Sequence, residues 1–225
     1  MGRGLLLCKV GRGLAPAILH NIRQGRLNRM SIKVILFDIG GVLVELAVTK
    51  KLSELIKDEI TLERYAISKY IRLYESGQCD TKEFAGGLIE ELGLAITPEN
   101  FIDDFSSFVK GFFPGAPELL RHLKPKYTLA CLSNTNAIHW DGLRERISID
   151  GYFHHVFLSY EIGKLKPQLD FYTYAIDRLG CVPQEIAFFD DSEANVKAGV
   201  AAGMNAYRVV DFEDLKDKLK TLDLL

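Results

Sequence analysis

The chain has 225 residues, 48% of them hydrophobic and 26% charged, with a formal net charge of −2. This balance fits one large globular domain or a domain carrying an inserted module. No basic excess spans the chain, which argues against a nucleic-acid partner. The four cysteines, Cys8, Cys79, Cys131 and Cys181, lie far apart and form no C-x-x-C pair. A disulfide framework or a zinc site is therefore not expected, and a reducing compartment such as the cytoplasm fits best.

The first 29 residues depart from the overall balance. No acidic residue precedes Asp38, whereas Arg3, Lys9, Arg12, Arg23, Arg26, Arg29 and Lys33 are all cationic. An Arg-rich, acid-free leader with apolar patches can act as an organelle transit peptide. The favoured expectation is a start at Met30 or a disordered tail, so residues 1–29 are set outside the fold. No apolar run approaches the roughly 18 residues of a membrane span, and no membrane association is expected.

From Ser31 onward, strand and helix signals alternate. Candidate strands are Lys33–Asp38, Tyr127–Ser133, His155–Ser159, Ile186–Asp190 and Ala206–Val210, short apolar runs mostly rich in β-branched or aromatic residues. Helical spacing marks Ala116–Leu123 and Phe171–Leu179. The small-residue segment Ser192–Ala202 ends before Gly203, a C-cap signal. Leu215–Leu225 reads as a terminal helix covering the sheet. Such alternation predicts an α/β fold with parallel pairing and right-handed crossovers.

One interval breaks the rhythm. A crossover needs only about a dozen residues or more, yet the Asp38 and Tyr127 strands are separated by a far longer stretch. Four helical segments fill it: Thr49–Asp58, Leu62–Tyr74, Thr81–Leu92 and Pro98–Lys110. The predicted organisation is a core of residues 30–46 and 113–225 with a helical cap of residues 47–112, placed to act as a water-excluding lid.

The polar residues at strand ends carry the chemistry. Asp38 closes an apolar run typical of a strand buried on both faces, and Gly40 and Gly41 follow it. Ser133-Asn134-Thr135-Asn136 ends the second strand, and Gly163-Lys164-Leu165-Lys166-Pro167 comes after the third. Asp190-Asp191-Ser192, followed by Asn195, ends the fourth. Open α/β sheets bind ligands beyond the carboxyl ends of their strands, so parallel neighbours would bring these clusters to one crevice. Asp38, Asp190 and Asp191, with no His or Cys between them, suit a hard oxygen-seeking cation, most simply Mg²⁺. A lysine and a serine beside that ion suit a phosphate. Asp38 could then attack phosphorus to form an aspartyl-phosphate, with the ion and Lys166 neutralising charge.

On these four motifs, Phe37-Asp38-Ile-Gly-Gly-Val-Leu43, Leu132-Ser133-Asn134, Lys166-Pro167 and Phe189-Asp190-Asp191, the chain resembles the haloacid dehalogenase-like hydrolases over residues 32–210. Leu132-Ser-Asn-Thr-Asn-Ala-Ile-His-Trp140, Phe188-Phe-Asp-Asp-Ser-Glu-Ala-Asn195 and Gly77-Gln-Cys-Asp-Thr-Lys-Glu-Phe84 resemble its glucose-1-phosphatase-like branch. The resemblance implies a three-layer Rossmann-like parallel sheet core with an inserted α-helical cap. It further implies an Mg²⁺-dependent phosphatase acting on a small phosphorylated metabolite, for instance a sugar-1-phosphate, as a monomer or homodimer. Asp38 would be nucleophile and metal ligand, and Gly40 would offer its carbonyl to the metal. Ser133 and Asn134 would bind the phosphoryl group, and Lys166, rather than Lys164, would pair with Asp38 and phosphate. Asp190 and Asp191 would anchor Mg²⁺, and Asn195 would support their loop. The alternatives are a non-catalytic or weakly active phosphate-binding homologue and a metal-independent 2-haloacid dehalogenase. The latter has no need of the Asp190-Asp191 pair.

The departure from that pattern is Gly40, where the family usually places a second aspartate as general acid and base. Such a role contributes about 10²–10⁴-fold, and glycine carries no group able to supply it. The expected replacements are His139, a cap residue such as Tyr74, or a substrate whose leaving group needs no acid. His139-Trp140 fits a helix-start packing role equally well. Tyr65, Tyr70 and Tyr74 read mainly as cap packing. His154 and His155, adjacent in a strand, would face opposite sides and could not share a metal.

Overall fold

In the computed structural model, residues 31–47, 64–65 and 67–225 are described. The basic leader of residues 1–29 and the predicted cap helix Thr49–Asp58 lie outside them. The elements in chain order are strands β1 (Val34–Phe37) and β2 (Val44–Leu46), then helices α1 (Lys69–Glu75), α2 (Thr81–Leu92) and α3 (Pro98–Ser106). These are followed by β3 (Val109–Phe112), α4 (Ala116–Leu123), β4 (Thr128–Ser133), α5 (Ala137–Ile147), β5 (His155–Leu158) and α6 (Ser159–Ile162). The chain ends with α7 (Leu169–Leu179), β6 (Ile186–Asp190), α8 (Glu193–Ala201), β7 (Asn205–Arg208) and α9 (Phe212–Thr221).

Five strands form one sheet in the order β5-β4-β1-β6-β7, and every pairing is parallel. All four residues of β1 are buried, as are all five of β6. This explains why the runs are continuously apolar: a parallel sheet is covered on both faces. Alternate side chains then serve two separate cores. Ile35, Phe37, Leu129, Cys131, Ala187 and Phe189 pack with α4, α5 and α9. Val34, Leu36, Ala130, Leu132, Ile186 and Phe188 pack with α7 residues Phe171, Tyr172 and Ala175. The result is the three-layer Rossmann-like α/β core.

A third core belongs to the helical insertion. Tyr74, Phe84, Leu88, Phe101, Phe105 and Phe108 are buried together, with the Tyr74 and Phe84 rings stacked at 4.3 Å. Local signals set the helix starts. Asp80 and Thr97 accept hydrogen bonds from the Glu83 and Asn100 amides, and Pro98 occupies the first turn of α3. Two expectations need correction here. The predicted Leu62–Tyr74 helix is interrupted at Ser68, whose hydroxyl caps a new start by accepting from the Tyr70 amide. Pro98–Lys110 is not one helix either. It stops at Ser106, and Val109–Phe112 pairs antiparallel with β2. The chain leaves and re-enters the core at one place, so the two linkers satisfy each other's backbone groups. This ribbon straddles the boundary drawn between core and insertion.

Smaller differences have local causes. β7 is Asn205–Arg208 instead of Ala206–Val210, and α9 begins earlier than predicted because Asp211 caps it through the Asp214 amide. β5 begins at His155. His154 precedes it, and its Nδ1 accepts the Leu129 amide at 3.0 Å, a structural bond that ties the sheet edge. Among the described residues, no helix is long and apolar enough to cross a membrane.

The fit of α8 on the sheet depends on Gly199. A Cβ there would lie 2.8 Å from Phe188 Cδ1 and 3.1 Å from the Ala206 Cβ. Gly199→Val is expected to overpack this interface and to cost about 1–3 kcal/mol. Thermal unfolding should then fall by roughly 2–10 °C. An unchanged melting temperature would show that α8 is not seated on β6 and β7 as described.

Candidate active site

Parallel register brings the strand-end residues together. β1 lies between β4 and β6, with Phe37 opposite both Cys131 and Phe189. Asp38, Ser133 and Asp190 therefore emerge side by side at the carboxyl edge, where all three are buried. Lys166 reaches them from the loop after α6. Its Nζ donates to Asp38 Oδ1 and to Asp190 Oδ2, at 2.6 Å in each case. Lys164, the weaker candidate by sequence, instead pairs with Asp170 at the surface.

Each charge in this group is held by further bonds. Asn195 Nδ2 donates to both oxygens of Asp190, at 2.9 and 3.1 Å, and the Ser192 amide donates to Oδ1. Tyr172 Oη in turn donates to the Asn195 carbonyl. Asn134 has a part that was not legible in the sequence. Its side chain clamps the lysine loop by accepting the Lys166 amide at 2.8 Å and donating to the Lys166 carbonyl at 2.9 Å. Ser159 locks the neighbouring turn, accepting from the Thr135 amide and donating to the Thr135 carbonyl. The one available signal for these clamps was the polar run Ser133–Asn136 itself.

Burial drives the electrostatics. It pushes the Asp38 carboxyl up to about 6, even though the Lys166 ammonium opposes the shift. For Lys166, burial favours the neutral amine, but Asp38 and Asp190 together raise its pKa and keep it cationic. Asp191 is pushed up by burial and by its neighbour Asp190. Carboxylate oxygens of Asp38, Asp190 and Asp191 lie within 4.8 Å of one another. Such a cluster of oxygen donors has the chemistry to hold a hard divalent cation. Gly41, at φ +74°, lets the backbone turn beneath this cluster, because a Cβ there would meet Asp191 Oδ2 at 3.0 Å.

A cavity of about 270 Å³ adjoins the group, over Ile39, Gly40, Ser133 and Asn134. Its far wall belongs to the insertion and includes Tyr65, Ile71, Tyr74 and Glu75. His139 lines it too, but both ring nitrogens are engaged. Nε2–H donates to the Phe105 carbonyl at 2.8 Å, and Nδ1 faces the Asn136 amide nitrogen at 3.2 Å. Burial lowers its pKa to about 4. His139 is thus a neutral strut joining α5 to the insertion and has no spare proton for a leaving group. Tyr74 is similarly committed, stacked on Phe84 and bonded to the Thr81 hydroxyl at 2.8 Å, with burial raising its pKa. Glu75, which the sequence reading passed over, is the group that burial changes most usefully. Its carboxyl is pushed up to about 7.

The haloacid dehalogenase-like hydrolase model matches residues 32–203. D-ribitol-5-phosphate phosphatase of Bacteroides thetaiotaomicron is 25% identical over 202 residues, covering 85% of this chain and 98% of the relative. A flavin mononucleotide hydrolase of Arabidopsis thaliana is 28% identical over 154 residues, covering 63% of this chain and 61% of its own. A solved HAD family enzyme of Bacteroides thetaiotaomicron, in complex with magnesium and inorganic phosphate, superposes with a TM-score of 0.71. It is 28% identical over 79% of this chain and 94% of its own. With its parallel sheet, helical insertion and strand-end carboxylates, the chain belongs to the haloacid dehalogenase-like hydrolase family.

Proposed function

We propose that this protein is a magnesium-dependent phosphatase that hydrolyses a small phosphate monoester through an aspartyl-phosphate on Asp38. The observation that carries the reading is the buried Lys166 ammonium bonded to Asp38 at one edge of the acidic cluster. With one Asp38 oxygen held by Lys166, the other attacks phosphorus and the ester oxygen leaves as the alcohol. Ser133 and the Asn134 backbone hydrogen-bond the phosphoryl oxygens, and Lys166 balances their charge. Water then cleaves the aspartyl-phosphate and regenerates the carboxylate. Asp38, Asp190 and Asp191, with the Gly40 carbonyl, would hold Mg²⁺, which supplies Lewis-acid neutralisation of the phosphoryl charge.

The relatives inform the substrate class. Ribitol 5-phosphate and flavin mononucleotide both carry phosphate on the primary alcohol of a ribityl chain. This favours a primary-alcohol ester of polyol or sugar type over an anomeric sugar-1-phosphate. The cavity walls Ile39, Val44, Ile71 and Phe84 would pack along the carbon chain of the alcohol.

Phosphate release from a panel of polyol and sugar phosphates tests the reading. Activity is expected with Mg²⁺ and is expected to vanish with a chelator. Asp38→Asn should reduce it to background, and turnover by that variant at the wild-type rate would sink the covalent mechanism. Primary-alcohol phosphates should be hydrolysed faster than matched sugar-1-phosphates. The reverse order would instead support a substrate with an acidic leaving group.

A further inference from the structure

Primary-alcohol phosphates are poor substrates without a proton donor, because an alkoxide is a strongly basic leaving group. Gly40 supplies none, and His139 and Tyr74 are committed elsewhere. Resting on the phosphatase reading above, we infer that Glu75 of the insertion is the general acid and base, in place of the aspartate missing at Gly40.

Four observations carry this. Glu75 lines the same cavity as Gly40 and Ser133, and among the described residues it is the one carboxylate that does so. Among the described residues none hydrogen-bonds its carboxyl group, and none leaves a buried side-chain atom without a partner. It ends α1, the helix that also contributes Ile71 and Tyr74 to the same cavity wall. Lastly, the chain after it is placed tightly. Ser76 Oγ donates back to the Arg72 carbonyl at 2.7 Å. At Gly77, φ +67°, a Cβ would lie 2.1 Å from the Tyr160 carbonyl oxygen, so only glycine lets this turn sit on the core.

Charge placement agrees with a proton-transfer role. Asp38 and Lys166 act on Glu75 from the core, and burial, with the Glu75 carboxylate, in turn raises the pKa of the Tyr65 phenol beside it in the insertion. Burial outweighs Lys166, and with Asp38 it raises the carboxyl to about 7. A group titrating there can both give and take a proton near neutrality.

The steps balance. As the Asp38 oxygen bonds to phosphorus, the P–O ester bond breaks and the Glu75 proton passes to the departing oxygen, releasing a neutral alcohol. The Glu75 carboxylate then takes a proton from water as its oxygen attacks phosphorus. The acyl–phosphate P–O bond breaks, phosphate leaves, and Asp38 and protonated Glu75 are restored.

Wild type, Asp38→Asn, Glu75→Gln and Glu75→Gln/Gly40→Asp would be compared on ribitol 5-phosphate and p-nitrophenyl phosphate with Mg²⁺. Glu75→Gln is expected to lose about 10²–10⁴-fold on ribitol 5-phosphate. On the aryl ester, whose leaving group needs no acid, it should retain the nitrophenolate burst while later turnover slows. The wild-type first step on ribitol 5-phosphate should weaken as pH rises through about 7, and the variant should lack this limb. Gly40→Asp should restore part of the lost rate, since its Cβ requires only the flexible end of Leu46, 2.9 Å away, to move. Loss of the nitrophenolate burst in step with the loss on ribitol 5-phosphate would mark Glu75 as structural, and a wild-type rate on ribitol 5-phosphate would exclude it. Either result, with Asp38→Asn inactive, overturns this inference alone. Full activity in Asp38→Asn overturns the phosphatase mechanism beneath it.

Discussion

One ammonium between two carboxylates organises this molecule. Lys166 is 5% exposed, Asp38 8% and Asp190 0%. Taking such charges from water costs several kcal/mol per ion, which only close geometry and further hydrogen bonds can offset. The structure provides both. Lys166 makes two 2.6 Å bonds, Asn134 pins its backbone, and Asn195 and the Ser192 amide hold Asp190. These partners come from three strand ends, two loops and the first turn of α8. The site therefore exists only when β1, β4 and β6 are in register, and the fold and the charge group specify each other.

The insertion adds what the sheet edge lacks. Its aromatic core around Phe84 and Phe105 makes it a packed body in its own right. The β2–β3 ribbon ties its two linkers together, and His139 bridges Phe105 to the start of α5. Between the insertion and the sheet edge lies an apolar-walled cavity that would exclude water and strengthen every charge inside it. On its wall, burial and the Asp38 charge push the Glu75 carboxyl up to about 7.

Much of this was legible in the chain. The strands β1 and β6 declared themselves as continuous apolar runs ending in aspartate, because burial on both faces leaves no place for a polar residue until the edge. Helix starts at Asp80 and Thr97 were equally local, written in capping residues that act within three positions. The β2–β3 ribbon was not legible. Val109-Lys110-Gly-Phe carries no strong strand signal and pairs only because its partner returns beside it. The break at Ser68 was likewise hidden, since one hydroxyl can either continue a helix or cap a new one.

The sequence by itself determined the parallel α/β core, the insertion after the first strand, and the set of polar residues that meet at the strand ends. Periodicity and capping are short-range, and parallel topology sends all strand ends to one edge. Only the tertiary structure decided which side chains are committed and which are open. His139 and Tyr74 looked available until their hydrogen bonds were seen, and Asn134 proved to be a clamp on Lys166. Glu75 drew no notice as one acidic residue among many at a helix end. Its environment is made by residues distant in the chain, and burial, which no local pattern encodes, sets its chemistry.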